Sequence, residues 1–181
     1  EFCNKPEDVD YLVFPRLAAL AEVAWTQPAH KDWTSFLKGL DAYNEHLTAK
    51  GIVYARSMYN IQHTVTPNDG ILEVELECIR PDMEIHYTTD GSEPTATSPL
   101  YEKKVPVKET LTLKSATFAQ GRQMGKTLIL PVRWNLATAK PVLGINPAEK
   151  LLTNGIRGSL KYSDFEWCSW TNNDSVSQLT C

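Results

Sequence analysis

Acid–base chemistry in this chain would rest on its 22 carboxylates, and two groups of them stand out by their spacing. The first group opens a predicted helix and the second alternates along a predicted strand: Glu7, Asp8 and Asp10, then Glu73, Glu75 and Glu77. Acidic side chains in a first helical turn stabilise the positive end of the helix dipole, and alternate strand residues share one solvated face. Glu22 differs, because it follows an apolar run beside Trp25. We interpret Glu22 as an inward-facing polar anchor of a larger fold.

Histidines and cysteines are the other candidates for catalysis or metal binding. They stand at His30, His46, His63 and His86 and at Cys3, Cys78, Cys168 and Cys181. The histidines lie in different predicted elements and the cysteines form no Cys-x-x-Cys pair, so we predict structural or surface histidines and no zinc site. The spacing of Cys168 and Cys181 is open to two interpretations, a disulfide across a short loop or thiols that are free or buried. Nucleophile-elbow and phosphate-loop motifs are also absent from the sequence, so no catalytic, cofactor-binding or metal-binding residue is predicted.

An aromatic cluster occurs near the end of the sequence, at Tyr162, Phe165, Trp167 and Trp170. The flat apolar face of a sugar packs well on an indole ring, so this cluster could form a sugar-binding platform. Packing of the same rings into a partial core is the interpretation that we favour, and the sequence alone leaves both open. The last thirty residues look too short to form a core of their own.

The overall composition is that of a folded protein. The chain has 181 residues, of which 42% are hydrophobic and 22% charged, with a net charge of −4. This charge argues against a nucleic-acid or anionic-membrane surface, because both need clustered positive charge. No apolar run is long enough for a transmembrane helix, and the acidic, polar residues 1–10 do not resemble a signal peptide.

The first third of the chain is predicted to be helical. Apolar residues recur every three or four positions over 7–25 and again over 32–50. Pro15 should kink or divide the first helix, Asp32 is a suitable N-cap for the second, and Gly51 is a suitable terminator. Two helices alone rarely bury both apolar stripes, so the pattern indicates a larger partner layer and predicts self-association where that layer is missing.

The remainder is predicted to be rich in β-structure. Four segments alternate or have strand composition, namely 71–78, 83–88, 110–119 and 127–134. Two turns separate them, at 90–95 and 121–125. Short strands without intervening helices are typical of an antiparallel, Ig-like β-sandwich, and residues 135–150 have the composition of a linker. The predicted fold class is therefore α+β by segment, with two helices, then a β-sandwich, then a truncated β-rich tail.

Three stretches resemble known families. The run from Tyr11 to Trp25, with Phe14-Pro15-Arg16 and Ala19-Leu20-Ala21-Glu22, resembles the last barrel helix of family 20 glycoside hydrolases. The motif Ile85-His-Tyr87-Thr-Thr-Asp90-Gly91-Ser-Glu-Pro94-Thr95 resembles the β-sandwich that follows the barrel in chitobiases and hexosaminidases. Residues 151–170 resemble the start of a discoidin-type (F5/8 C-like) domain. The resemblance thus implies four parts: 1–60 from the end of a TIM barrel, 63–134 a sandwich, 135–150 a linker, and 151–181 a truncated discoidin-like domain.

The family 20 resemblance implies exo-hydrolysis of terminal β-linked N-acetylhexosamines from glycans. In that family the substrate's own acetamido oxygen attacks the anomeric carbon, and a glutamate beside an orienting aspartate is the general acid. No position here matches that pair, so the isolated chain is expected to be inactive. The resemblance implies that Glu1 is a substrate-binding glutamate of the family, and the alternative is a disordered terminal residue without that role. The family suggests a secreted or periplasmic protein. The alternative is a carbohydrate-binding module or a structural spacer of a multidomain glycan-degrading protein.

Overall fold

A computed structural model describes residues 3–140 and 153–158 of the chain. The chain divides into two compact units, Glu1–Ser57 and Met58–Cys181. The described part of the first unit is helical, and the described part of the second contains two antiparallel β-sheets. This agrees with an α+β chain that carries a β-sandwich.

The helical unit contains three α-helices within its described residues. They are α1 (Pro6–Val13), α2 (Arg16–Trp25) and α3 (Trp33–Ala49), with a short 3-10 turn at Pro28–His30. The first predicted helix is thus two helices, interrupted at Pro15 as expected, because proline cannot donate the backbone hydrogen bond that a helix interior needs. The structure therefore corrects the predicted count of two helices to three.

The helix ends follow the local sequence. The Asp32 carboxylate accepts a hydrogen bond from the backbone N–H of Ser35 at 2.8 Å, which confirms it as the N-cap of α3. Gly51 follows that helix with a φ of +70°, and the N–H of Ile52 returns to the carbonyl of Leu47 at 3.0 Å. A left-handed glycine of this kind satisfies the last carbonyls of a helix, so the predicted terminator is also confirmed.

Burial is uneven within the helical unit. Helix α3 has four buried side chains, at Leu37, Leu40, Asn44 and Leu47. Helices α1 and α2, which the structure describes completely, have none. Leu20 and Val23 are 64% and 62% exposed, and Trp25 is 89% exposed. The apolar stripe that the sequence predicts for α2 therefore faces outward in this chain.

The second unit contains seven strands among its described residues. They are β1 (Ile61–Asn68), β2 (Ile71–Cys78), β3 (Glu84–Thr88), β4 (Val105–Val107), β5 (Leu111–Ala119), β6 (Arg122–Gln123) and β7 (Leu128–Val132). One sheet has the order β1-β2-β4, and in the other β3, β6 and β7 all pair with β5. All of these pairs are antiparallel.

The sandwich core lies between the inward faces of these strands. Leu72, Val74 and Leu76 of β2 are buried, while Glu73 and Glu75 on the other face are only half-buried. The predicted alternation of β2 is therefore confirmed. The other buried members of the core are Ile61, Val65, Val105, Val107, Leu113, Leu130, Val132 and Ala139.

The chain after β7 stays in contact with the sandwich. Within the segment predicted as a linker, Thr138 and Ala139 are buried. The backbone N–H of Ala139 donates to the carbonyl of Thr153 at 2.9 Å, and that of Arg133 donates to the carbonyl of Gly155 at 2.8 Å. The short described segment 153–158 thus closes one end of the sandwich.

Candidate functional site: a groove between two helices

A candidate site is a groove between α2 and α3 in the helical unit. It has a volume of about 700 Å³. Its walls are mostly apolar and aromatic, with Glu22, His30, Asp32 and Ser35 as the polar side chains. The full lining is Leu17, Ala18, Ala21, Glu22, Trp25, His30, Asp32, Ser35, Phe36, Gly39, Leu40 and Tyr43.

A smaller cavity of about 300 Å³ lies beside the groove. It shares Glu22, Asp32 and Phe36 with the groove and adds the ring of Trp33 and the aliphatic side chain of Val23. The rings of Trp33 and Phe36 contact each other at a centroid distance of 5.5 Å. The two cavities therefore form one concave surface on which apolar and aromatic groups dominate.

The carboxylates of the groove are engaged within their own local elements. The Glu22 carboxylate accepts a hydrogen bond from the Thr26 hydroxyl at 2.8 Å, one helical turn later. Asp32 caps α3, and its hydrogen bonds from Ser35 lower the pKa of its carboxyl below the ordinary value. Each carboxylate thus has a structural partner. The groove is suited to contact an apolar surface rather than to transfer a proton.

Glu22 is the one carboxylate that the sequence predicts as an inward-facing anchor. Its side chain is half-buried and lines both cavities. Glu7 and Asp8 lie in the first turn of α1, where the Asp8 carboxylate accepts the backbone N–H groups of Asn4 and Lys5 at 2.8 and 3.0 Å. The interpretation of these first-turn acids as structural agrees with these contacts.

Aromatic rings of the sandwich are not displayed as a sugar-binding platform in the described residues. Tyr59 and Phe118 are buried, and Tyr87, Tyr101 and Trp134 are half-buried. The rings of Tyr87 and Tyr101 meet edge to face at 6.4 Å, and the Tyr101 hydroxyl accepts the backbone N–H of Leu76 at 3.1 Å. These rings therefore contribute to packing and to the sheet.

Charged residues of the sandwich form pairs at its surface. Glu75 on β2 pairs with Lys104 at 2.9 Å, and this contact raises the pKa of the lysine. Lys114 likewise pairs with Glu93 and lowers the pKa of that carboxyl. Glu75 on the outer face of β2 is therefore part of a solvated surface, as the sequence predicts for this face, and has a lysine partner there.

The buried charge of Arg80 is a feature that the sequence pattern does not predict. Arg80 is 2% exposed, its guanidinium lies 5.5 Å from the centre of the Tyr59 ring, and its Nε donates to Asp82 at 2.8 Å. This contact lowers the pKa of Asp82. The only signal in the sequence is an Arg-Pro-Asp turn directly after a strand, which does not predict burial.

One histidine and two cysteines of the described residues have contacts or burial that the structure defines. His86 is buried, and its Nδ1 lies 2.6 Å from the carbonyl oxygen of Ser98. Cys3 and Cys78 are free thiols, and burial raises the pKa of Cys78. Within the described ranges, no three His, Cys, Asp or Glu side chains gather as a metal site would require.

Several predicted positions lie outside the described residues. They are the substrate-binding candidate Glu1, the pair Cys168 and Cys181, and the aromatic cluster Tyr162, Phe165, Trp167 and Trp170. Among the helices of residues 3–140, none is long and apolar enough to cross a membrane.

Each of the two units contains residues that match a known family model. Residues 67–128 match the family model of the chitobiase/beta-hexosaminidase C-terminal domain, and residues 1–28 match that of the glycosyl hydrolase family 20 catalytic domain. A beta-hexosaminidase of Porphyromonas gingivalis (strain ATCC BAA-308 / W83) is 33% identical over 132 residues, which cover 68% of this chain and 16% of the relative. The chain therefore spans well under two thirds of the length of the curated relative that it matches. Helix α2 lies inside the catalytic-domain match, and the strands from β2 to β6 lie inside the C-terminal-domain match.

Proposed function

This chain is a C-terminal part of a β-hexosaminidase, and we propose that it serves there as an accessory, structural part of an enzyme that removes terminal β-linked N-acetylhexosamines from glycans. The matches to two family models and the 33% identity to a beta-hexosaminidase support this activity for the longer protein. The general-acid glutamate and its neighbouring aspartate would come from a part of the catalytic domain that precedes this chain.

The observation that carries the proposal is the exposure of α2. This helix belongs to the catalytic-domain match, yet its apolar residues Leu17, Leu20 and Val23 are all about half exposed or more. A helix of a (β/α)₈ barrel covers the outside of the barrel strands with such a stripe. We propose that residues 1–60 are the end of a TIM barrel and that the rest of the barrel covers this face.

A hydrolysis assay tests whether this chain is catalytically inactive without the rest of the longer protein. The purified chain, with its intact mass verified, is incubated with a chromogenic N-acetyl-β-glucosaminide beside an intact family 20 enzyme as positive control. We expect no turnover by the chain, because no position in its sequence matches the family's general-acid glutamate and its neighbouring aspartate. Turnover above background at the verified mass would contradict the accessory role and would require a catalytic carboxylate among these residues.

Glu1 is the proposed contact to the substrate. It stands in the catalytic-domain match, at a position that resembles a glutamate that binds the outer hydroxyls of the sugar. In the longer enzyme, Glu1→Gln should raise KM for the chromogenic substrate more than it lowers kcat, because the group binds the sugar away from the reacting bond. An unchanged KM would remove Glu1 from the substrate site.

The sandwich is proposed as a spacer rather than a sugar-binding module. Its described aromatic residues are all buried or half-buried. The proposal for residues 151–181 is a truncated discoidin-like domain, whose aromatic cluster is the remaining candidate for glycan binding. Glycan-array binding by the chain that disappears in Trp167→Ala or Trp170→Ala would favour the binding module, and flat curves for the wild type would exclude it.

Self-association of the isolated chain is a second proposal that follows from the exposed helices. The apolar faces of α1 and α2 have no partner of their own in the described helical unit. We propose that two or more copies bury these faces against each other, because exposed apolar patches of this kind drive association. Sedimentation over a hundredfold concentration range should show a rising mass. A monomer throughout would contradict it.

The proposed location is secreted or periplasmic, by analogy with the bacterial hexosaminidase relative. Fractionation of the producing cells, with detection by an antibody against the sandwich, would test this location. Detection only in the cytoplasmic fraction would overturn it.

A further inference from the structure

The end of the sandwich near Leu72 and Val132 is closed by a segment far along the chain. Residues 153–158 lie beyond the family match, which ends at residue 128. Thr153 and Asn154 are nevertheless buried, and Ile156 packs against the core. A free linker would not bury polar side chains, since burial costs free energy unless the groups are hydrogen-bonded.

Main-chain hydrogen bonds hold this segment at two points. The N–H of Arg133, directly after β7, donates to the carbonyl of Gly155 at 2.8 Å. The N–H of Ala139 donates to the carbonyl of Thr153 at 2.9 Å. The two donors lie six residues apart and bind carbonyls two residues apart, so the segment is fixed in both position and direction.

Side chains complete the attachment. Asn154 is 2% exposed, and its Oδ1 accepts the backbone N–H of Ile156 at 3.0 Å, which holds the turn. Gly155 has a φ of +72°, and a Cβ there would lie 2.9 Å from the Arg133 oxygen and 3.0 Å from Cδ1 of Leu72. Only glycine meets both conditions, because the backbone is left-handed and the approach is too close for a methyl group.

We infer that residues 153–158, which open the segment proposed as discoidin-like, are a strap that packs on the sandwich and fixes the place where the chain leaves it. The cooperative unit then extends from the first strand to residue 158, well past the matched domain. Whatever part of the longer protein follows the strap is attached to the sandwich at a set position. This inference concerns the sandwich alone and stands whether or not the proposed enzyme activity is correct.

Hydrogen exchange on the full chain tests the strap directly. Gly155→Ala should accelerate exchange of the Arg133 and Ala139 amides by about tenfold or more, because both donate to the strap. Gly121→Ala is the matched control: Gly121 has a similar φ of +74°, but a Cβ there meets nothing within 4 Å. Gly121→Ala has only the free-energy cost of a left-handed backbone at a non-glycine residue. Any difference in exchange between the two variants therefore measures the contact between the strap and the sandwich.

The pattern of exchange separates detachment from general unfolding. Amides of the β5–β7 ladder, such as Leu113 and Leu130, should change equally in the two variants. If Gly155→Ala does not fold, Asn154→Ala gives the same two-amide readout without the backbone strain. Equal exchange of Arg133 and Ala139 in wild type, the strap variants and the control would overturn the inference.

Discussion

The helical unit and the sandwich unit differ in how completely they bury what the sequence marks as apolar. In the sandwich, the inward side chains of β2 and β5 are fully buried against each other and against β7. In the helical unit, α3 buries one stripe, while α1 and α2 leave theirs outside. Equally good amphipathic patterns therefore lead to opposite outcomes.

The difference shows what each unit needs from the rest of the protein. Two sheets that pack face to face supply each other's apolar partner, so a sandwich can be stable by itself. A helix from the outer layer of a barrel depends on strands that other segments provide. On the proposed assignment of residues 1–60 to the end of a barrel, the match of residues 1–28 to a catalytic domain and the exposed groove beside α2 have the same cause.

The largest change in the free energy of unfolding is expected when a core side chain of the sandwich is removed. Leu72 is fully buried, so Leu72→Ala should lower the free energy of unfolding by about 3–5 kcal/mol, through lost burial and the cavity left behind. Leu20→Ala, at an exposed position of α2, is the matched control and should change it by less than about 0.5 kcal/mol. Denaturant unfolding followed by circular dichroism measures both. Similar losses for the two variants would contradict the contrast between the units.

Replacement of a glycine by alanine should change the free energy of unfolding in opposite directions in the two units. A Cβ on Gly125 would lie 2.2 Å from the carbonyl oxygen of Tyr59, so Gly125→Ala should destabilise the sandwich by about 2–3 kcal/mol. Gly39 lies within α3 with open space around it, so Gly39→Ala should stabilise the helix by about 0.5–1 kcal/mol. Thermal unfolding of both variants gives the comparison. Destabilisation by Gly39→Ala would mean that the groove side of α3 is more tightly packed than described.

The Arg80–Asp82 pair should make the sandwich sensitive to acid. The hydrogen bond from Arg80 holds the pKa of Asp82 below its ordinary value of 3.8, so its contribution is present above that pH and is lost as pH falls through the lower folded value. Asp82→Asn should cost about 1 kcal/mol at neutral pH, a modest amount because the carboxylate is half exposed.

Measurement of the free energy of unfolding between pH 7 and 2 tests whether the contribution of Asp82 is lost as the pH falls. The wild type and Asp82→Asn should converge as the pH falls below about 4, because protonation removes the same interaction. The exposed Glu77→Gln on β2 serves as the control and should follow the wild type within about 0.5 kcal/mol. A constant gap between the wild type and Asp82→Asn at all pH values would assign the effect to packing instead.

The smallest effect on unfolding is expected from a change of the outward face of α2. Leu20→Ser should leave the sandwich transition unchanged and should reduce the concentration-dependent mass of the isolated chain. Leu136 is 97% exposed in the other unit, and Leu136→Ser is the control because that residue is not part of an apolar helix face. Analytical ultracentrifugation of the three proteins measures the effect. If both substitutions reduced the mass equally, the apolar face of α2 would not be the cause of self-association.

Much of the sandwich could be predicted from the sequence, and the two strands that the pattern does not predict are hidden for local reasons. The strict alternation of Leu72, Val74 and Leu76 predicts β2 and its buried face, and both are observed. Strand β1 was missed because Gln62, His63 and Pro67 interrupt any apolar alternation. Strand β4 was missed because three residues around Pro106 are too few to show a period.

The candidate site was harder to predict than the fold. Glu22 stands out in the sequence, and the structure places it in both cavities of the helical unit. The groove itself needs α2 and α3 side by side, which no periodicity specifies. The burial of Arg80 and the strap at Gly155 also arise from contacts between distant segments, so single positions give no signal for them.

Most of the local structure and the family relationship of this protein follow from its sequence alone. The spacing of apolar residues, Pro15, the Asp32 cap and the Gly51 terminator act within a few residues, so they can be read without a structure. The tertiary structure alone decided which apolar faces are covered, which charge is buried and where the chain beyond β7 is fastened. Those outcomes depend on surfaces supplied by remote parts of the chain, and burial is a property of both surfaces rather than of one pattern.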